Sequence, residues 1–161
     1  MRAHRQRGVA LMRNLAIALL VAMAASFVPC SAALGAETAH AKAAPIRVVY
    51  HLDTDLKGTT TALHQAGNQL AADPTTKIVI VAIGPSVRFM VKGSNTAGGY
   101  PFALMVQDLE DKGVRIEACG NTMATLKIKP EQLDDGIVVV PSGMAELARL
   151  QAREGYVYIR P

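Results

Sequence analysis

The sequence predicts an α/β domain in which a parallel sheet is covered by helices on both faces. Three observations lead there. From Ile46 onward, strand-like and helix-like segments alternate to the end of the chain. The inner strand-like segments are continuous apolar runs, as expected of strands buried on both sides. Turn residues such as Asp73-Pro74, Gly84-Pro85-Ser86, Gly113 and Gly155 separate one segment from the next.

The elements follow in order. Ile46 to Leu52 (IRVVYHL) is β-branched and aromatic and reads as a strand. Leu56 to Leu70 carries Leu63, Ala66 and Leu70 at helical spacing, with Asp55 or Thr59 as N-cap. Lys77 to Ile83 (KIVIVAI) is the second strand, and Gly84-Pro85-Ser86 starts a short helix through Met90. Gly93 to Gly99 is a Gly/Ser/Asn loop. Pro101 suits a first helical turn; Phe102, Leu104, Met105, Val106 and Leu109 form the expected buried stripe, and Gly113 caps the end. Val114 to Ala118 is the third strand, Asn121 to Leu126 a helical turn, and Ile137 to Val140 the fourth strand. Ser142 caps a helix to Arg153 that turns Met144, Leu147, Ala148 and Leu150 inward. Tyr156 to Ile159 is the last strand.

The first 36 residues read differently. Arg2, Arg5, Arg7 and Arg13 precede Leu15 to Val28, a stretch with no charge and only Ser26 polar, and small residues follow. That is the pattern of a cleavable secretory signal, starting at Met1 or Met12 and cut after Ala36, with Ala33 and Ala41 as alternatives. The apolar stretch is shorter than the roughly 20 residues that span a bilayer. Residues 37–45 form a polar leader, and the domain covers 46–161. The expected address is the periplasm or outside the cell, with no membrane contact after cleavage.

Removing this segment changes the charge. Four of the 17 basic residues and none of the 13 acidic ones lie in it, leaving 13 of each sign. The domain therefore carries no electrostatic footprint for nucleic acid. Cys30 goes with the signal, so Cys119 is left without an intramolecular partner.

Ligands of open parallel sheets bind beyond the carboxyl ends of the strands. Inspecting those ends singles out Cys119 as the candidate catalytic thiol, placed just before a helical turn whose N–H groups would lower its pKa. A buried, inert cysteine is the competing reading. His51, Asp53, Gly84, Asn121, Thr122, Lys127 and Ser142 are the candidate substrate-binding residues. His51 could act as a base or simply end a strand in a hydrogen bond. Asp53 and Asp55 suit an acidic site or a turn and helix cap. Lys127 could attract an anionic sulfur species. No metal is expected, since His51, Asp53 and Asp55 are too few convergent ligands. No nucleotide cofactor is expected either: the first strand is followed by no glycine-rich fingerprint and no phosphate loop. Thr122 stands where a Cys-x-x-Cys motif would have its second thiol, which excludes an internal dithiol cycle.

The strand with its Asp-rich turn, the apolar strand ending in Gly-Pro, Glu117-Ala118-Cys119-Gly120-Asn121-Thr122-Met123, Pro141-Ser142-Gly143-Met144 and the ending Tyr156-Val157-Tyr158-Ile159-Arg160-Pro161 together resemble the DsrE/DsrF-like family, and more narrowly an exported branch of it. The resemblance covers nearly all of 46–161. It implies a three-layer α/β/α sandwich with a five-stranded parallel sheet, homo-oligomers, and sulfur chemistry in which a cysteine carries persulfide sulfur from a donor to an acceptor. Cys119 matches the Cys-Gly position after the third strand. Asn95 to Phe102, where relay members carry their working cysteine, has none. The resemblance also implies that the first and third strands flank the second, which would put His51 and Cys119 about 10 Å apart at the backbone. Two functions follow as expectations: sulfane-sulfur handling by Cys119, or a non-catalytic binding or assembly module with a structural cysteine.

Overall fold

A computed structural model describes residues 44–161. The expected signal segment and the leader up to residue 43 lie outside the described residues. Five strands form one parallel sheet: β1 (Arg47–Leu52), β2 (Lys77–Ala82), β3 (Arg115–Cys119), β4 (Val138–Val140) and β5 (Val157–Ile159). Their order is β4-β3-β2-β1-β5. Four α-helices join them: α1 (Leu56–Ala72), α2 (Phe102–Asp111), α3 (Gly120–Leu126) and α4 (Gly143–Glu154). A 3₁₀ helix, Gly84–Met90, follows β2. The predicted parallel sheet with helices on both faces is the observed fold.

The two faces are unequal. Val48, Tyr50, Leu52, Ile78, Ile80, Ala82, Ile116 and Ala118 point to one side, where they pack on α1, α2, α3 and the 3₁₀ helix. Val49, Val79 and Val81 point to the other and meet Leu147 and Leu150 of α4, with Ile83 and Tyr156 at the edge. Alternation along each strand produces this division, and the near-continuous burial of β1, β2 and β3 reflects cover on both faces.

Most expected boundaries shift by one or two residues. Asp55, not Thr59, caps α1: its carboxylate accepts the Gly58 N–H at 2.8 Å, while Thr59 is buried inside the helix. Three expected inward residues face water. Leu104 on α2 is exposed, because Phe102, Val106 and Leu109 turn to the core, with Met105 packed at its edge. Met144 and Ala148 on α4 are exposed as well. A single helix crossing this face touches it along the narrow stripe Gly143, Leu147 and Leu150.

The face under α4 also holds charge. Glu117 on β3 is 2% exposed, and Arg115 Nε donates to it at 2.6 Å. Arg115 reaches Glu146 on α4, which Arg149 also binds, and Arg149 binds Glu154. Burial raises the pKa of Glu117, and Arg115 opposes that rise.

Candidate functional site

Connectivity places the crevice. The chain leaves β3 into α3, which packs on the crowded face through Met123. It leaves β4 into α4, which packs on the opposite face. Neighbouring strands whose exits diverge open a cleft at their carboxyl ends, where ligands of open α/β sheets bind. Cys119 is the last residue of β3 and lies at that cleft, facing the α4 side.

Two helix starts converge on its sulfur. Gly143, the first residue of α4, donates its N–H to Cys119 Sγ at 3.2 Å. On α3, the Thr122 N–H and hydroxyl and the Asn121 N–H add to the pull on the sulfur. Burial works the other way and raises the thiol pKa. The four donors outweigh it, so the pKa lies below the ordinary thiol value. The thiol is nevertheless only 4% exposed.

Close approach requires two glycines. A Cβ on Gly143 would lie 2.7 Å from Ile83 Cγ1 and 3.1 Å from Cys119 Cβ. A Cβ on Gly120 would lie 3.1 Å from the Val140 carbonyl oxygen. Without side chains there, α3 and α4 can both start against the ends of β3 and β4, and the Asn121 N–H reaches the Pro141 carbonyl at 3.3 Å.

The candidate residues divide into groups. Cys119, Asn121 and Thr122 come together, and Gly84 joins them because its N–H donates to Thr122 Oγ1 at 3.1 Å. Ser142 stands beside them, but its hydroxyl caps α4 by accepting the Ala145 N–H at 3.4 Å. His51 lies on β1 with β2 between it and β3, about 10 Å away at the backbone. Its Nδ1 shares a 2.7 Å hydrogen bond with the Tyr158 hydroxyl, and its buried Nε2 has no partner among the described residues. Burial and Arg160 lower the pKa of His51, while Asp53 raises it by less. Asp53 pairs with Arg160 at 3.7 Å. Lys127 caps the opposite end of α3, about 10 Å of helix from Cys119, and points into water.

Gly143, Tyr158 and Arg160 also take part, beyond the candidate binding residues. Gly143 follows a helix-capping serine, which was a legible signal for a donating N–H. Tyr158 and Arg160 are brought back to β1 only by the pairing of β5. Among the described residues, no group of three or more His, Cys, Asp or Glu could hold a metal ion. No helix there is long and apolar enough to cross a membrane.

Residues 32–161 match the DsrE/DsrF-like family. The chain belongs to this family. Solved structures agree with the fold. A protein of unknown function from Methanobacterium thermoautotrophicum, MTH1491, is 30% identical with a TM-score of 0.64, the match covering 72% of this chain and 99% of that one. The ychN protein from E. coli is 16% identical with a TM-score of 0.59, covering 73% and 98%. A conserved protein of unknown function from Bacteroides thetaiotaomicron, BT1422, is 19% identical with a TM-score of 0.56, covering 71% and 94%. No curated protein matches significantly. In this chain Cys119 lies at the cleft between the carboxyl ends of β3 and β4.

Proposed function

We propose that this protein is an exported member of the DsrE/DsrF-like family that accepts sulfane sulfur on Cys119. The observation that carries the reading is the Gly143 N–H bonded to Sγ at 3.2 Å; with Asn121 and Thr122 at the start of α3 it lowers the thiol pKa and favours the thiolate. The thiolate is the nucleophile in sulfur exchange. It attacks the outer sulfur of a hydropersulfide, RS–SH. The Cys119 S–S bond forms as the donor S–S bond breaks, the proton stays on the transferred sulfur, and RS⁻ leaves with the bonding pair. No outside oxidant or reductant is needed. The donors around Sγ would then face the new persulfide. The basic, apolar and small-residue order of residues 1–36 supports export.

Mass spectrometry after reaction with a hydropersulfide tests the reading. Wild type should gain about 32 Da per sulfur and Cys119→Ser nothing. No gain in wild type, or an equal gain in the variant, overturns it.

The burial of Cys119 favours a second reading: a binding or homo-oligomeric assembly module in which the thiol only caps helix starts. Exposed Val138, Val139, Val157 and Tyr158 on the short edge strands supply apolar surface for such assembly. Native thiol titration separates the two. A thiol that reacts only after unfolding supports the second reading, and one that reacts in the folded protein supports the first.

A further inference from the structure

Beyond the carboxyl ends of β2 and β3, a cavity of about 370 Å³ lies between the 3₁₀ helix and α3, lined by Gly84, Pro85, Arg88, Asn121, Thr122, Thr125 and Leu126. Its volume lies within the roughly 300–1,000 Å³ of small-molecule sites. Its charge is unbalanced. The Arg88 side chain makes no hydrogen bond or ion pair with any described residue, and the cavity lining holds no carboxylate. A larger groove of about 500 Å³ between α1 and α2 differs on this point, because its Lys112 already binds Asp108 at 2.6 Å. In the smaller cavity, Pro85 and Leu126 provide apolar wall, and Asn121, Thr122 and Thr125 provide neutral polar groups. Thr122 lines the cavity three residues after Cys119, and it is among the groups that lower the Cys119 pKa. A ligand here would rest on the start of α3, the helix that directly follows Cys119.

We propose that this cavity binds a small organic anion, with its carboxylate on Arg88 and its body against Pro85 and Leu126, and that such anions are the class of molecule that delivers sulfur to Cys119. The second half rests on the sulfur-transfer reading; the first does not. Arg binds carboxylates through paired N–H donors, and removal of the charge should cost affinity selectively for the charged ligand.

Two measurements test this. Methylthioacetate, which cannot transfer sulfur, should shift the amide resonances of Gly84, Asn121, Thr122 and Thr125 saturably. Its uncharged counterpart, methylthioacetamide, should bind at least tenfold more weakly. Arg88→Gln should weaken the acid at least tenfold and the amide less than twofold. Equal binding of acid and amide, or an unchanged acid affinity in Arg88→Gln, overturns the site. Sulfur uptake by Cys119 is then timed with the hydropersulfides of mercaptoacetate and mercaptoacetamide. The acid should load wild type at least tenfold faster, and Arg88→Gln should erase the difference. Equal wild-type rates overturn the donor class. Uptake from neither, alongside charge-selective binding, overturns the sulfur reading and supports the anion site.

Discussion

The Gly143 N–H donates to Cys119 Sγ at 3.2 Å, joining the first residue of α4 to the last residue of β3. The contact exists because nothing stands on the Gly143 α-carbon. Gly143→Ala would put a methyl 2.7 Å from Ile83 Cγ1 and 2.8 Å from its Cδ1. Ile83 is packed against the α4 side of the core, so α4 must move outward. We expect a loss of about 1–3 kcal/mol in urea unfolding. We also expect a higher Cys119 pKa in the folded variant, read from thiolate absorbance against pH.

The Thr122 hydroxyl accepts the Gly84 N–H at 3.1 Å and helps to lower the Cys119 pKa. Thr122→Val removes both. The Gly84 N–H loses its acceptor, at a cost of about 1–3 kcal/mol. The Cys119 pKa rises toward the ordinary thiol value. The linkage has a definite sign. A thiol whose folded pKa is depressed adds stability at high pH, and this is lost as pH falls through the folded value. Wild type should therefore gain on Cys119→Ser as pH rises toward about 8.5, and Thr122→Val should shrink that gain.

His51 is 7% exposed and bonded to Tyr158, and its pKa is lowered. The unfolded chain takes up this proton at higher pH than the folded one. Stability should thus fall as pH drops below about 6.5 and level off beneath the folded pKa. His51→Gln should flatten this part of the urea-unfolding profile. Tyr158→Phe should cost about 1 kcal/mol at neutral pH. A profile unchanged by His51→Gln would show that the histidine is not the titrating group.

Arg115 binds Glu117 on the α4 face and opposes the rise that burial gives its pKa. Arg115→Met leaves the carboxylate buried without that partner. The expected loss is about 2 kcal/mol at neutral pH, less than for a fully buried pair because Arg115 is partly in water. The pKa of Glu117 is raised in the fold, so its neutral form is favoured there, and stability falls as pH rises from about 4.3 through the folded value. In Arg115→Met the folded value rises further, and the deficit should narrow on acidification. A pH-independent deficit would assign the loss to packing of the arginine stem instead.

Much of this architecture was legible. β-branched runs marked β1 and β2, Gly-Pro and Gly113 marked limits of β2 and α2, and Cys119 could be placed just past the third strand, Val114 to Ala118. The errors share one cause. Leu104, Met144 and Ala148 are apolar at helix-compatible positions, yet which side of a helix turns inward depends on what lies beside it. The lone helix α4 buries only Gly143, Leu147 and Leu150 and flanks them with Glu146 and Arg149. Ser142 was legible as a cap, but the donor aimed at the sulfur belongs to its neighbour Gly143.

By itself, then, the sequence determined the order and kind of elements, the charge balance of residues 37–161, and the position of one cysteine at a strand end. Tertiary structure alone decided that β4 lies beside β3, that β5 closes against β1, and hence that Gly143 reaches Cys119 and Tyr158 reaches His51. Strands are joined by backbone N–H and C=O groups that are the same at nearly every residue. A strand's neighbours therefore follow from how the helices pack on the whole sheet, and groups 24 and 107 positions apart meet only once that packing is complete.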